Sequence, residues 1–165
     1  FLSLGFIISA FESRISAENA WWQIIFSQFL LGQTIALNEQ FEIIQLMLFL
    51  SGIVFAAVLG FMVIKRLKYM GESVYLNKFH GLSYIRPRLS VAFLIACLGL
   101  SGFPITPTFI GEDLILGHLH GNQIGLTLLI ALILILDGLA IYRIYARLFL
   151  GPHDRGYHET AFRSS

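Results

Sequence analysis

From Phe41 to Ile64 the chain runs for 24 residues with one charge, Glu42, near its start. As a helix such a stretch rises about 36 Å, enough to cross the ~30 Å hydrocarbon core of a bilayer. Four more apolar segments accompany it: Phe1–Phe11, Ala20–Leu37, Leu89–Leu119 and Gln123–Leu150. Only 13% of the 165 residues are charged and 56% are apolar, against about 25% charged in an ordinary soluble domain. So few charges cannot cover a water-exposed surface, so lipid is the solvent for much of the chain. The expected fold is all-α, a polytopic transmembrane helix bundle over residues 1–150, followed by a polar cytoplasmic tail, 151–165. The net charge of +1 gives no field suited to nucleic acid. A single cysteine, Cys97, excludes an internal disulfide and a cysteine-built metal site. The chain opens on Phe1 inside an apolar run and is expected to be the C-terminal portion of something longer.

The segment Leu89–Leu119 cannot be one regular helix. It would be about 46 Å long at 1.5 Å per residue, and its middle reads Gly102-Phe103-Pro104-Ile105-Thr106-Pro107. Proline removes a backbone donor and clashes with the preceding turn. The segment is therefore expected to be two half-helices joined by unwound backbone near 102–108, with Gly102, Pro104 and Pro107 making the break. Irregular backbone at membrane depth survives only when buried in protein or lining a wet cavity.

Basic residues give the orientation. Lys65, Arg66, Lys68, Lys78, Arg86 and Arg88 fall between the third and fourth segments, opposed only by Glu72, and the tail adds Arg147, Arg155 and Arg163. The loops near Asn38–Glu42 and His118–Asn122 have no lysine or arginine. By the positive-inside rule, Lys65–Arg88 and the C-terminus face the cytoplasm or its organellar equivalent. The expected location is a bacterial inner membrane or an organellar inner membrane.

Three carboxylates fall inside expected spans: Glu112, Asp113 and Asp137. Each costs about 2.5–3.5 kcal/mol at the bilayer centre and must face protein or water. The functional reading is a proton pathway; the alternative is a buried structural pair or an interfacial position. Glu112 follows the break by five residues and is expected to face the pathway. Asp113, about 100° away around the helix, is expected to be bonded locally or to lie at the helix rim. For Asp137, a relay and a structural hydrogen bond to a neighbouring helix stand side by side. Arg143 and Arg147, four apart, read as snorkelling anchors, and Trp21 and Trp22 as interfacial aromatics. Gln23, Gln28, Gln33, Thr34 and Gln45 read as interhelical glue. His118 and His120 flank Leu119 in an outer loop; they lack the further ligands of a metal site, and peripheral proton exchange is their alternative role. No metal and no cofactor is expected, and no phosphate loop or nucleophile elbow is present.

Three runs carry a resemblance: His80-Gly81-Leu82-Ser83-Tyr84-Ile85-Arg86-Pro87, then Gly99-Leu100-Ser101-Gly102-Phe103-Pro104, then Phe109-Ile110-Gly111-Glu112-Asp113-Leu114-Ile115-Leu116. Together they resemble the antiporter-like subunits of respiratory complex I, a family shared with Mrp-type cation/proton antiporters and membrane-bound hydrogenases. The ending Tyr142–Gly151 resembles the helix that follows and its exit to the cytoplasm, so the likeness covers about Lys78–Pro152. It implies a functional glutamate or lysine just past a discontinuous helix, and Glu112 falls on that position. The sequence departs from the family pattern at Ile105 and Thr108, where glycines are usual, and Pro107 is an additional breaker. The family's glutamate–lysine pair and central lysine have no counterpart, and Phe1–Ile64 carries no matching motif.

The resemblance implies proton or cation/proton translocation beside other membrane subunits of a larger complex, whose partners would supply the energy. Two alternatives accompany it. One is the proton-coupled membrane subunit of a two-component inorganic-carbon uptake system, with a soluble partner subunit. The other is a non-conducting helix bundle whose carboxylates lock helices together.

Overall fold

The computed structural model describes residues 1–36, 43–117 and 124–152, whose regular elements are all helices, with no strand among them. Helix α1 (Leu2–Glu12) ends at Ser13, whose amide and hydroxyl both donate to the Ser9 carbonyl at 3.0 Å. Helix α2 (Ala17–Ala36) starts where the Ser16 hydroxyl accepts the Asn19 amide, an N-cap that satisfies one free donor of the first turn. The two form a hairpin whose turn is tied to an extended segment by Ala17 N–H to Val74 O at 3.1 Å and Leu76 N–H to Arg14 O at 2.9 Å.

Helix α3 (Ile43–Tyr69) runs through Lys65, Arg66 and Lys68 beyond the apolar stretch that begins it. Those cations suit the negative end of the helix dipole. Lys65 and Lys68 both pair with Glu18 of α2, which holds them at the rim of the bundle. At the other extreme of length, α4 (Leu82–Ile85) is a single turn that the apolar pattern does not reveal. Helix α5 (Pro87–Leu100) has proline at its first position, where the missing N–H costs nothing. Helices α6 (Pro107–Gly117) and α7 (Ile124–Phe149) complete the set.

In this bundle α3 lies against α2, α5 and α6, while α7 crosses α1, α2 and α5. A buried aromatic column joins three helices: Trp21 packs on Phe93 at 5.1 Å between ring centroids, and Phe93 on Phe149 at 5.4 Å. Trp21 is fully buried and its Nε1–H donates to Ala57 O at 3.1 Å, so it is a core residue rather than an interfacial one. Its neighbour Trp22 is partly exposed. Arg143 is half-buried and donates to Ala10 O at 3.1 Å, at the carboxyl end of α1. Arg147 stacks over Phe79 at 4.4 Å, beside the turn where the His80 and Gly81 amides cap the last carbonyls of α7.

Two of the described helices, α3 and α7, are long and apolar enough to cross a membrane. Most of their apolar surface points outward, with Phe55, Met62, Leu128 and Ile135 each more than 60% exposed. That distribution is the reverse of a soluble core helix and fits lipid or another membrane chain.

Candidate functional site

Between α5 and α6 lie six residues, Ser101–Thr106, whose geometry follows from local chemistry. Gly102 adopts φ 66°, a left-handed conformation that glycine enters without a Cβ penalty. This lets the Phe103 amide reach back to Leu98 O at 3.0 Å, closing the end of α5 in a Schellman-type turn. A turn over Pro104 and Ile105 follows, with the Thr106 amide and hydroxyl both donating to Phe103 O at 2.8 Å. Thr106 then accepts the Phe109 amide at 3.4 Å as N-cap of α6. Pro107 is accordingly the first residue of the second half-helix, and the unwound stretch ends before it.

Helix α6 is held against α3 by close backbone approach. A Cβ on Gly52 would sit 2.5 Å from the Thr108 amide nitrogen, and one on Gly111 would sit 2.6 Å from Phe49 Cβ. Glu112 follows Gly111, and its side chain leans toward the start of α6, as helical side chains do. Its carboxylate rests on the break itself: a Cβ on Gly102 would overlap it, 2.6 Å from Cδ. One oxygen, Oε1, is buried without a partner among the described residues. Asp113 lies exposed on α6, apart from this contact.

Asp137 is fully buried halfway along α7. Its Oδ2 accepts from Ser27 Oγ at 3.0 Å and from Gln28 Nε2 at 3.1 Å, both on α2. Ser27 is joined in turn to Ser3 Oγ of α1 at 2.7 Å. Asp137 Oδ1 and Gln28 Oε1 are buried and have no partner among the described residues. Phe49 packs near both surroundings: its ring lies against Gly32, one turn from Gln28, and its Cβ lies over Gly111, next to Glu112.

Gln28 is a direct ligand of an acid. Ser3 and Ser27 carried no signal, because a lone hydroxyl in an apolar run is common and its partner lies 110 residues away. Gln45 is buried. His118 and His120 lie outside the described residues. Among the described residues no group of three His, Cys, Asp or Glu side chains gathers as a metal site.

Comparison with known proteins agrees with the three motif runs and reaches further back. A sequence model described as NADH:quinone oxidoreductase/Mrp antiporter, TM, matches residues 24–137. The match includes most of α2 and all of α3, where no motif is legible by eye. No curated protein and no solved structure matches the chain significantly. The match covers more than half of the sequence, and the chain belongs to the NADH:quinone oxidoreductase/Mrp antiporter family of transmembrane proteins.

Proposed function

We propose that the chain moves protons, or cations coupled to protons, along a buried polar path in which Glu112 and Asp137 are the carriers. Membership of the family supports a general cation/proton-translocating role within a multi-subunit membrane complex. The observation that carries the specific reading is the state of Asp137: fully buried at mid-helix, with Oδ2 doubly bonded and Oδ1 without a partner among the described residues. A carboxylate kept only to lock helices would engage both oxygens, since an unsatisfied buried acceptor costs about 1–3 kcal/mol. A carrier needs one oxygen outside such bonds, so that the carboxyl can turn and pass its proton on. Glu112, with an oxygen on the unwound backbone that has no partner among the described residues, is the second stop. The chain carries no redox motif, so energy would come from partner subunits.

The test is proton uptake by liposomes holding the intact complex, driven by an imposed potassium diffusion potential and read with an internal pH dye. Asp137→Asn keeps an oxygen that can accept from Ser27 and Gln28 but cannot ionise. Glu112→Gln does the same at the break. Each is expected to lower uptake about a hundredfold, the low end for a positioned proton-transfer group, with the complex still assembled. Wild-type uptake in both variants would leave the non-conducting bundle as the reading.

A further inference from the structure

Asp137 needs a route to water, and the hydrogen bonds around it define one. Ser27 has a single hydroxyl hydrogen and gives it to Asp137 Oδ2 at 3.0 Å. It must then accept from Ser3, 2.7 Å away, so both hydroxyls point their protons toward the carboxylate. Ser3 also forms part of the wall of a cavity of about 310 Å³ between α1, α2 and α7, with Leu30, Gln33, Leu126, Ile130 and Ile133. Ser3 and Gln33 are the polar side chains on its otherwise apolar wall. The cavity lies toward the end of the bundle where α1 and α7 begin and α2 finishes, opposite the end that holds Lys65, Lys68 and Arg147. Both serines are almost wholly buried.

We propose that Ser3 and Ser27 form a two-hydroxyl relay connecting Asp137 to water in this cavity. The inference rests on the reading of Asp137 as a proton carrier. In the inward step a hydronium in the cavity gives a proton to Ser3 Oγ as Ser3 passes its own to Ser27 Oγ. Ser27 simultaneously passes its own to Asp137 Oδ2. Three O–H bonds form and three break, the hydronium becomes water, the carboxylate becomes a carboxylic acid, and nothing is oxidised or reduced. Rotation of the two hydroxyls resets the chain for the reverse step. Ser27 and Ser3 are positioning and relay residues; neither carries the charge at rest.

The decisive variant is Ser3→Ala, because Ser3 does not touch Asp137, and a packing role for Ser27 at the carboxylate would leave Ser3 free to change. In the liposome uptake assay on the intact complex, Ser3→Ala and Ser27→Ala are each expected to lower uptake about tenfold. That is less than loss of a carrier, because water can partly bridge the gap. Ser3→Thr, which restores the hydroxyl at the cavity wall, is expected to return most of it. In parallel, Ser3→Cys in a Cys97→Ala background is expected to react with a small charged thiol reagent applied to membranes, since only a hydrated thiol ionises. If Asp137→Asn abolishes uptake while Ser3→Ala leaves it unchanged, or if Ser3→Cys resists the reagent from both faces, the relay is wrong and the carrier reading stands. If Asp137→Asn leaves uptake at the wild-type level, the carrier reading fails and the relay falls with it.

Discussion

Two carboxylates sit inside this bundle, and different parts of the chain keep them there. Glu112 is held by backbone: the left-handed Gly102, the turn through Pro104 and the close α3–α6 contact shape the surface on which its carboxylate rests. Asp137 is held by side chains: it stands on an unbroken helix and takes its bonds from Ser27 and Gln28 of α2. Both keep one buried oxygen without a described partner. A break in a helix exposes polar backbone at depth, whereas a continuous helix exposes none and must borrow from a neighbour. The Glu112 side should therefore be sensitive to backbone and glycine changes, and the Asp137 side tolerant of them.

Each acid has a glycine beside it in the chain, which makes the contrast testable. At Gly111 an added Cβ would meet Phe49 Cβ at 2.6 Å, Cα at 2.8 Å and N at 2.9 Å, and two of those three atoms are backbone. Gly111→Ala must push α6 off α3. The expected loss is about 3 kcal/mol, the upper range for overpacking a close-packed contact. It would be read as an earlier midpoint in detergent unfolding, together with loss of proton uptake. An unchanged midpoint would mean that the α3–α6 contact is not as close as described.

At Gly102 the expected effect is smaller and has two parts. Alanine would be strained at φ 66° by about 1 kcal/mol, and its Cβ would displace the Glu112 carboxylate. A double-mutant cycle separates them. Gly102→Ala is expected to cost about 2 kcal/mol alone and about 1 kcal/mol in a Glu112→Ala background, a coupling well above the ~0.5 kcal/mol seen for independent sites. Additive losses would show that Glu112 does not lie on the break.

This contrast also explains what could be read from the amino-acid order. The break was legible because proline and glycine act on their own backbone, within a few residues. Its outline still shifted, since Pro107 looks like a breaker in isolation but, with Thr106 as cap, begins a helix. Asp137 stood out as a charge in a leucine-rich run, yet its partners did not, because pairing Ser27 to Asp137 depends on how α2 and α7 meet. The same limit misled the reading of Trp21. An indole at the head of an apolar segment suits a membrane interface, and only the approach of Ala57 and Phe93 makes it core. The small turn α4 escaped because four residues give no period to read.

The smallest effect, and the one of opposite sign, belongs to Gly138. It follows Asp137 on α7, and among the described residues nothing lies within 4 Å of where a Cβ would stand. Alanine there meets no neighbour and relieves the entropic cost of glycine in a helix interior, which is about 0.5–1 kcal/mol. Gly138→Ala is therefore expected to raise the unfolding midpoint slightly and to leave proton uptake unchanged, because the bonds that hold Asp137 come from α2 and not from its own backbone. A loss of uptake without a loss of stability would show that α7 must bend at this glycine for Asp137 to work. The two acids would then both depend on irregular helix, and the distinction between a backbone-held site and a side-chain-held site would collapse.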